Sequence, residues 1–273
     1  MDDRTYKSMN PYAIDGPAVI SFSGGRSSGF MLRNIIDAHG GTLPDDIKVI
    51  FANTGLEHHE TYEFIHRIED AWCEVVWLEY TLDGENKHSF KVVDYESASR
   101  AGEPFDQLIG KKKYLPNPVA RLCTENLKVL TIKKYAKQEL DLDTWSNVIG
   151  LRYDEPKRVA RMRDRENVMI PMADAHHDKW DVLEFWIGDD MDLKLPIKGN
   201  FFSNCVGCYL KSYQSLEEIA RREPDYLDWW IDTEEFTGSK FRVDRPDYAT
   251  IKHNAHRQLA FNFGDSVSCF CTD

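Results

Sequence analysis

Apolar positions follow two alternating spacings over the first 150 residues. Ala18–Phe22, Ile47–Ala52 and Glu74–Tyr80 are short runs of strand length. Between them, Ser27–Ala38 carries Phe30, Met31, Leu32, Ile35 and Ile36 on one broad helical face, closed by Gly40 and Gly41. His59–Trp72 repeats Tyr62, Ile65, Ile68 and Trp72 at helical spacing. Strand, helix, strand, helix, strand predicts an α/β fold with a parallel sheet covered on its faces. Ligands of such sheets gather beyond the carboxyl ends of the strands, where Ser23–Ser28 and Asn53–His59 fall. Thr81–Ala120 holds Gly84, Gly102, Pro104, Gly110, Pro116 and Pro118 and reads as a long functional loop or lid. A helix is expected over Thr124–Leu140 and a further strand over Trp145–Gly150. Beyond Leu151 the pattern is less regular, with helices expected at Asp178–Ile187 and Ser215–Arg222. This divides the chain into an α/β core, residues 1–160 with 81–120 as its lid-like loop, and a C-terminal region, residues 161–273. No internal repeat is visible.

Composition narrows the class. At 273 residues and 42% hydrophobic, the chain can bury a sizeable core. Its net charge of −12 argues against a general nucleic-acid coat, while Lys111–Lys113 read either as a short local basic patch or as a solvated loop. No apolar run approaches the roughly 18–20 residues that span a bilayer. The polar, acidic start MDDRTYKSMN is unlike a signal peptide. A cytoplasmic chain without membrane partners is expected. Its six cysteines would be mostly reduced there, so clusters of them point to metal or redox chemistry.

The stretch ISFSGGRSSGF, residues 20–30, is the first candidate site. Two glycines after a strand let the backbone turn sharply and approach a ligand. The helix that follows aims its N–H groups at the same spot. Ser21, Ser23, Ser27 and Ser28 add hydroxyls, Gly24 and Gly25 the turn, and Arg26 a cation. The pattern is neither Walker nor Rossmann. On local physics it is an oxyanion cradle or an ordinary tight turn.

The segment resembles the S-G-G-x-[DS]-S loop of the adenine nucleotide α-hydrolase superfamily, the PP-loop ATP pyrophosphatases. More narrowly it is similar to the phosphoadenosine phosphosulfate (PAPS) reductase-like family. FANTGLEHHETYEFI (51–65) resembles the second strand and its turn, which places Asn53, Thr54 and Gly55 at the nucleotide. VIGLRYDEPKR (148–158) resembles the G-[IL]-R-x-x-E-S-x-x-R motif, with Gly150, Arg152, Glu155 and Arg158 in register and Pro156 replacing Ser. MIPMADAHHDKWDVLEFW (169–186) resembles a later family stretch. The resemblance implies a Rossmann-like parallel sheet and an adenine nucleotide (ATP, adenylyl sulfate or PAPS) held by the loop. Ser27 stands where many ATP pyrophosphatases carry Asp, a departure in the Mg²⁺–pyrophosphate part of the motif. Arg152 and Arg158 are of the type that captures phosphate or sulfate in a fork, with Glu155 orienting them. Without the motif they read as a surface ion-pair network.

Cys205-Val206-Gly207-Cys208 is a C-x-x-C, and Cys123 opens the helix expected at Thr124. The spacing resembles that of sulfonucleotide reductases in which C-C and a later C-x-x-C hold a [4Fe–4S] cluster. Leu122 replaces the first cysteine, so the fourth ligand is Cys269, Cys271 or none. Structural zinc on Cys205, Cys208 and the tail pair is the alternative. Cys269 and Cys271 also resemble, without matching its motif, the mobile C-terminal nucleophile of PAPS reductases, whose S-sulfo intermediate is resolved by thioredoxin or another thiol donor. Cys73 reads as a small packed side chain. His58-His59 and His176-His177 read as structural or solvent-facing, because adjacent histidines diverge on regular elements.

Three functions remain. One is a PAPS- or adenylyl sulfate reductase-like enzyme using a tail thiolate with Arg152, Arg158 and Glu155. Another is an ATP-dependent sulfurtransferase that adenylates a small-molecule or nucleic-acid acceptor, the latter disfavoured by net charge. The third is a non-catalytic nucleotide-binding regulator.

Overall fold

Six strands form one sheet in the order β4-β3-β2-β1-β5-β6. The computed structural model describes residues 10–196 and 201–255. The first strands are β1 (Ala18–Ser21), β2 (Ile47–Asn53) and β3 (Val76–Leu82), parallel to one another and joined through α1 (Arg26–Ala38) and α2 (His59–Ala71). β5 (Ser146–Ile149) pairs with the other side of β1, and β6 (Val168–Met169) with β5, both parallel. The chain thus runs outward from β1 to β3 and returns to the far side of β1. The crevice outside the carboxyl ends of β1 and β5 is therefore the topological switch point, where open α/β sheets bind ligands.

Alternation along the strands builds two apolar layers. Ile20, Val49, Phe51 and Trp77 face α1 and α2. Val19, Ile50, Ala52 and Leu78 face Ile132, Tyr135 and Ala136. The latter three lie on α4 (Thr131–Gln138), which continues a π-helical turn at Thr124–Leu130. That turn occupies the start of the helix expected over Thr124–Leu140.

Thr81–Ala120, expected as an irregular loop or lid, is largely regular. It contains β4 (His88–Val93), antiparallel to β3, and α3 (Glu103–Lys112). Its glycines and prolines punctuate elements, as Gly102 and Pro104 do at the start of α3.

Beyond β5 come α5 (Pro156–Arg163), the short α6 (Pro171–Asp174), α7 (Lys179–Trp186), α8 (Tyr213–Arg222), α9 (Asp228–Thr237) and α10 (Tyr248–Ala255). Leu216, Ile219, Trp230 and Tyr248 join the same apolar cluster as Phe51 and Tyr62. The described part of the C-terminal region therefore shares a core with the sheet. Among the described residues no helix is long and apolar enough to cross a membrane.

Candidate functional site: a phosphate-type loop beside three buried cysteines

β1 ends at Ser21 and the chain turns through Ser23-Gly24-Gly25 into α1. Gly24 has φ +72, and a Cβ there would meet Ile65 Cδ1 and Thr61 Cγ2 at 2.7 Å. Only glycine fits this corner. Ser28 organises the turn from inside the helix. Its Oγ donates to the Gly25 carbonyl at 2.9 Å and accepts from the Ser23 and Gly25 amides at 3.3 Å each. Ser23 Oγ lies 3.0 Å from Ser28 Oγ. The start of α1, with no acidic residue in its first turn, is left for an anion. β5 closes against it: a Cβ on Gly150 would lie 3.4 Å from Ser28 Cα.

Arg26 does not supply the cation expected at the loop. Its guanidinium forks onto Asp192, at 2.6 and 2.9 Å, and donates to the carbonyls of Leu193 and Leu195. It ties α1 to the segment after α7. Arg152 takes the position instead, its Nη1 3.2 Å from Ser27 Oγ. Arg152 also pairs with Asp154 at 2.8 Å. Glu155 accepts from the Arg152 amide at 3.1 Å and contacts the Arg158 guanidinium. Arg152, Glu155 and Arg158 thus form one cluster, with Arg152 nearest the loop.

The loop opens on a cleft of about 400 Å³ at the switch point, walled by Ser21, Phe22 and Ser23 of the β1 end, Ile50 and Ala52 of β2, and Asn147 and Ile149 of β5. Val129 and Ile132 form its apolar side, with Trp145 and Met162, and Lys128, Lys133, Lys137 and Arg165 stand on its wall with Asp143 and Glu166. The sequence pattern missed these residues because they belong to an ordinary amphipathic helix and a turn.

Asn53 lies at the end of β2, fully buried, and its side chain is engaged on all sides. Nδ2 donates to Glu79 at 2.7 Å and to the Ser99 carbonyl at 2.8 Å, while Oδ1 accepts from the Gly55 amide at 2.9 Å and from Tyr62 at 3.1 Å. Asn53 therefore shapes the turn rather than offering donors to a ligand. Gly55 turns at φ +79. Thr54 donates to Glu57 at 2.8 Å and lies 3.2 Å from Cys205 Sγ. Burial, together with Glu57 and Cys205, holds the Tyr62 hydroxyl well above its ordinary pKa.

Cys123, Cys205 and Cys208 are all buried and line one small cavity of about 20 Å³ with Thr54, Lys128, Tyr209 and Trp230. Cys123 Sγ lies 3.3 Å from the Tyr209 hydroxyl. The indole N–H of Trp230 is buried without a partner among the described residues. It packs on Gly207, where a Cβ would come within 2.1 Å of it. An orphaned donor at a cysteine cavity suits a site that gains an anionic, sulfur-rich occupant. Cys269 and Cys271 lie outside the described residues. Cys73 is separate and half-buried; burial, then Glu69 and Glu74, raises its thiol to about 11.

The adjacent histidines converge, contrary to expectation: the His58 and His59 rings are 4.3 Å apart, and with Glu223 they bring three ligand atoms within 4.8 Å. Hydrogen bonding argues against a metal. His58 Nδ1 accepts from the Glu60 amide at 3.1 Å, so the proton of the neutral ring sits on Nε2, which donates to Glu223 at 2.9 Å. A metal on Nε2 would move that proton onto the capped nitrogen. The group is a latch between α2 and the end of α8.

A family model described as "Phosphoadenosine phosphosulfate reductase domain" matches residues 17–167. An uncharacterized nin region protein of Escherichia phage lambda is 26% identical over 230 residues, covering 82% of this chain and 76% of the relative. An uncharacterized protein of Methanocaldococcus jannaschii is 26% identical over 225 residues, covering 80% of this chain and 41% of the relative. A solved PAPS reductase from Candida auris, in a phosphate complex, aligns with 15% identity and TM-score 0.40 over 68% of this chain and 86% of its own.

Proposed function

Because the chain belongs to the phosphoadenosine phosphosulfate reductase domain family, we propose that it binds an adenine nucleotide at the β1–β5 switch point and reduces or transfers sulfur beside it. The phosphates meet the amides and hydroxyls of Ser23–Ser28, and the base and ribose take the apolar cleft. Arg152, and Arg158 through Glu155, neutralise the anionic end. One observation carries the reading: Lys128 lines both the nucleotide cleft and the three-cysteine cavity. The two candidate chemistries are therefore neighbours.

Cys123, Cys205 and Cys208 would hold an iron–sulfur cluster, supported by their shared cavity and by the Trp230 N–H, which has no partner among the described residues. Such a cluster supplies redox or sulfur-carrying chemistry when bound. In the reductase reading, a thiolate from Cys269 or Cys271 attacks the sulfate sulfur of adenylyl sulfate or PAPS. An S–S bond forms, the S–O bond breaks, and AMP or its 3′-phosphate leaves with the bonding electrons. A thiol donor of the thioredoxin kind then releases sulfite. Leu122, where a fourth cysteine would stand, favours a second reading: ATP-dependent sulfur transfer with one iron lacking a cysteine from this pair.

The test is anaerobic purification with iron, sulfide and zinc counted per chain, followed by calorimetry with adenylyl sulfate, PAPS and ATP. Binding of at least one nucleotide, weakened in Ser28→Ala, is expected; failure to bind any of the three overturns the proposal. Sulfite release with thioredoxin marks the reductase. Acceptor-dependent formation of AMP and pyrophosphate from ATP marks the transferase.

A further inference from the structure

Residues 107–138 carry eight lysines and arginines against one acidic residue, Glu125, in a chain whose net charge is −12. The fold gathers that excess on one face. Lys111 Nζ, at the end of α3, donates to the Asn86 carbonyl at 2.6 Å, and Lys134 Nζ, on α4, donates to the His88 carbonyl. Both lysines meet neutral acceptors there and keep their full charge. His88 registers the field: its pKa lies below the ordinary value through burial first, then through Lys134, Lys111 and Lys112. On the same helix, Lys133 and Lys137 share a face and stand with Lys128 on the wall of the cleft of about 400 Å³. The acidic groups in reach are Asp83 beside Lys134 and Lys87, Glu85 paired with Lys87, and Asp143 and Glu166 on the cleft wall. They are outnumbered by the cations on the same face. Tyr114, Val129 and Leu130 lie exposed between the basic positions. A basic track interleaved with exposed apolar side chains suits a strand of phosphates whose bases need a face to pack on.

We propose that this face docks a single-stranded stretch of nucleic acid, its backbone running from Lys111 and Lys112 along α4 to the cleft. The proposal rests on the reading of that cleft as a nucleotide site serving sulfur transfer, whose acceptor class it names. The net charge of −12 does not oppose it. Salt screens exposed charges beyond about 8 Å at physiological ionic strength, so the local excess decides. A flat lipid surface could meet α4 but not the concave cleft in which the lysine row ends.

Fluorescence anisotropy measures binding of labelled single strands of about 20 nucleotides, DNA and RNA, and of the matching duplex, from about 50 to 200 mM salt. Contacts from Lys111, Lys112, Lys133, Lys134 and Lys137 predict a slope of about −3.5 in log K against log salt, at about −0.7 per phosphate neutralised on a single strand. The double variant Lys111→Gln with Lys112→Gln, outside the cleft, should weaken single-strand binding about 10-fold at low salt and cut the slope by about 1.4. Its affinity for adenylyl sulfate, PAPS and ATP, read by calorimetry, should not change. Lys112→Gln alone carries the test if the double variant does not fold, and should cut the slope by about 0.7. The proposal is overturned by no binding to wild type at the lowest salt, or by an unchanged slope in the folded variant. Tighter binding to the duplex, or to phosphatidylserine vesicles, than to single strands overturns it as well. Nucleotide binding without strand binding refutes the docking face alone. Strand binding that the variant weakens, with none of the three nucleotides bound, supports the docking face and refutes the nucleotide reading instead.

Discussion

The two glycines of the loop should fail in different ways when each is replaced by alanine. Gly24 sits at φ +72, and its missing Cβ would come within 2.7 Å of both Thr61 and Ile65 on α2. A left-handed alanine costs about 1–2 kcal/mol, and overpacking adds about 1–3 kcal/mol. Gly24→Ala should therefore lose about 2–5 kcal/mol, a fall in Tm of about 4–20 °C for a chain of this size. Gly25 is extended, at φ −100 and ψ 161, and its added Cβ meets only Ser23 Oγ, at 3.6 Å. Gly25→Ala should lose about 1 kcal/mol, the difference between glycine and alanine at a helix N-cap. Its methyl would instead project beside Ser23 in the concavity where phosphate oxygens must approach the amides, so nucleotide affinity should fall at least about 10-fold. Urea denaturation and calorimetry with adenylyl sulfate, PAPS and ATP read the two effects separately. Equal destabilisation by both substitutions, or wild-type nucleotide affinity in Gly25→Ala, would refute the cradle.

Three further outcomes test other parts of the site. Arg152→Ala should weaken nucleotide binding about 10- to 100-fold, since its Nη1 lies 3.2 Å from Ser27 Oγ; stability should change by less than about 1 kcal/mol because its Asp154 partner is exposed. Asp192→Asn should lower stability by about 1–3 kcal/mol by weakening the Arg26 fork, read by urea titration. His58 has a pKa below its ordinary value, because burial outweighs the upward pull of Glu223. The unfolded chain therefore takes up the proton first, and the stability His58 contributes is present above about pH 6.5 and lost as pH falls through the folded-state value. The slope should reach at most about 1.4 kcal/mol per pH unit, and His58→Asn, which keeps a capping oxygen, should remove it from urea titrations between pH 5 and 8.

The parallel core was legible because its strands and helices carry clean periods. Ala18–Ser21, Arg26–Ala38 and His59–Ala71 stand within a residue or so of expectation. Thr81–Ala120 was misread because glycine and proline mark turns between elements as readily as they mark a lid. The sequence placed Arg26 in the loop, but the direction of its side chain depends on Asp192, 166 residues away. The convergence of Cys123 with Cys205 and Cys208 could be expected only from the resemblance to cluster-bearing sulfonucleotide reductases. Lys128 and Trp230 could not, because their places at the cavity walls come from tertiary packing. Glu57 fell in the edge segment Asn53–His59 and Glu79 in the expected strand Glu74–Tyr80, but nothing in the pattern marked either as a buried acceptor.

Those two carboxylates explain how the carboxyl edge of the sheet and the cysteine loop are held together. Glu79, fully buried on β3, accepts from Asn53 at 2.7 Å, from the Ser99 amide at 2.6 Å and hydroxyl at 2.8 Å, and from Lys91 at 2.7 Å. This locks the end of β2 to its neighbour. Glu57 accepts from the Thr54 hydroxyl at 2.8 Å and from the Thr54 and Leu56 amides at 3.2 Å each, which fixes the turn after β2. The cysteine loop is fastened to that same turn. Val206 donates to the Leu56 carbonyl at 2.8 Å, and Cys205 Sγ lies 3.2 Å from the Thr54 hydroxyl. A carboxylate with several donors is costly to disturb, since losing it strands every donor at once. The spacing between the β2 edge and the C-x-x-C is therefore set by buried hydrogen bonds rather than by a hinge, as the proposed chemistry between a held nucleotide and a fixed sulfur site would require.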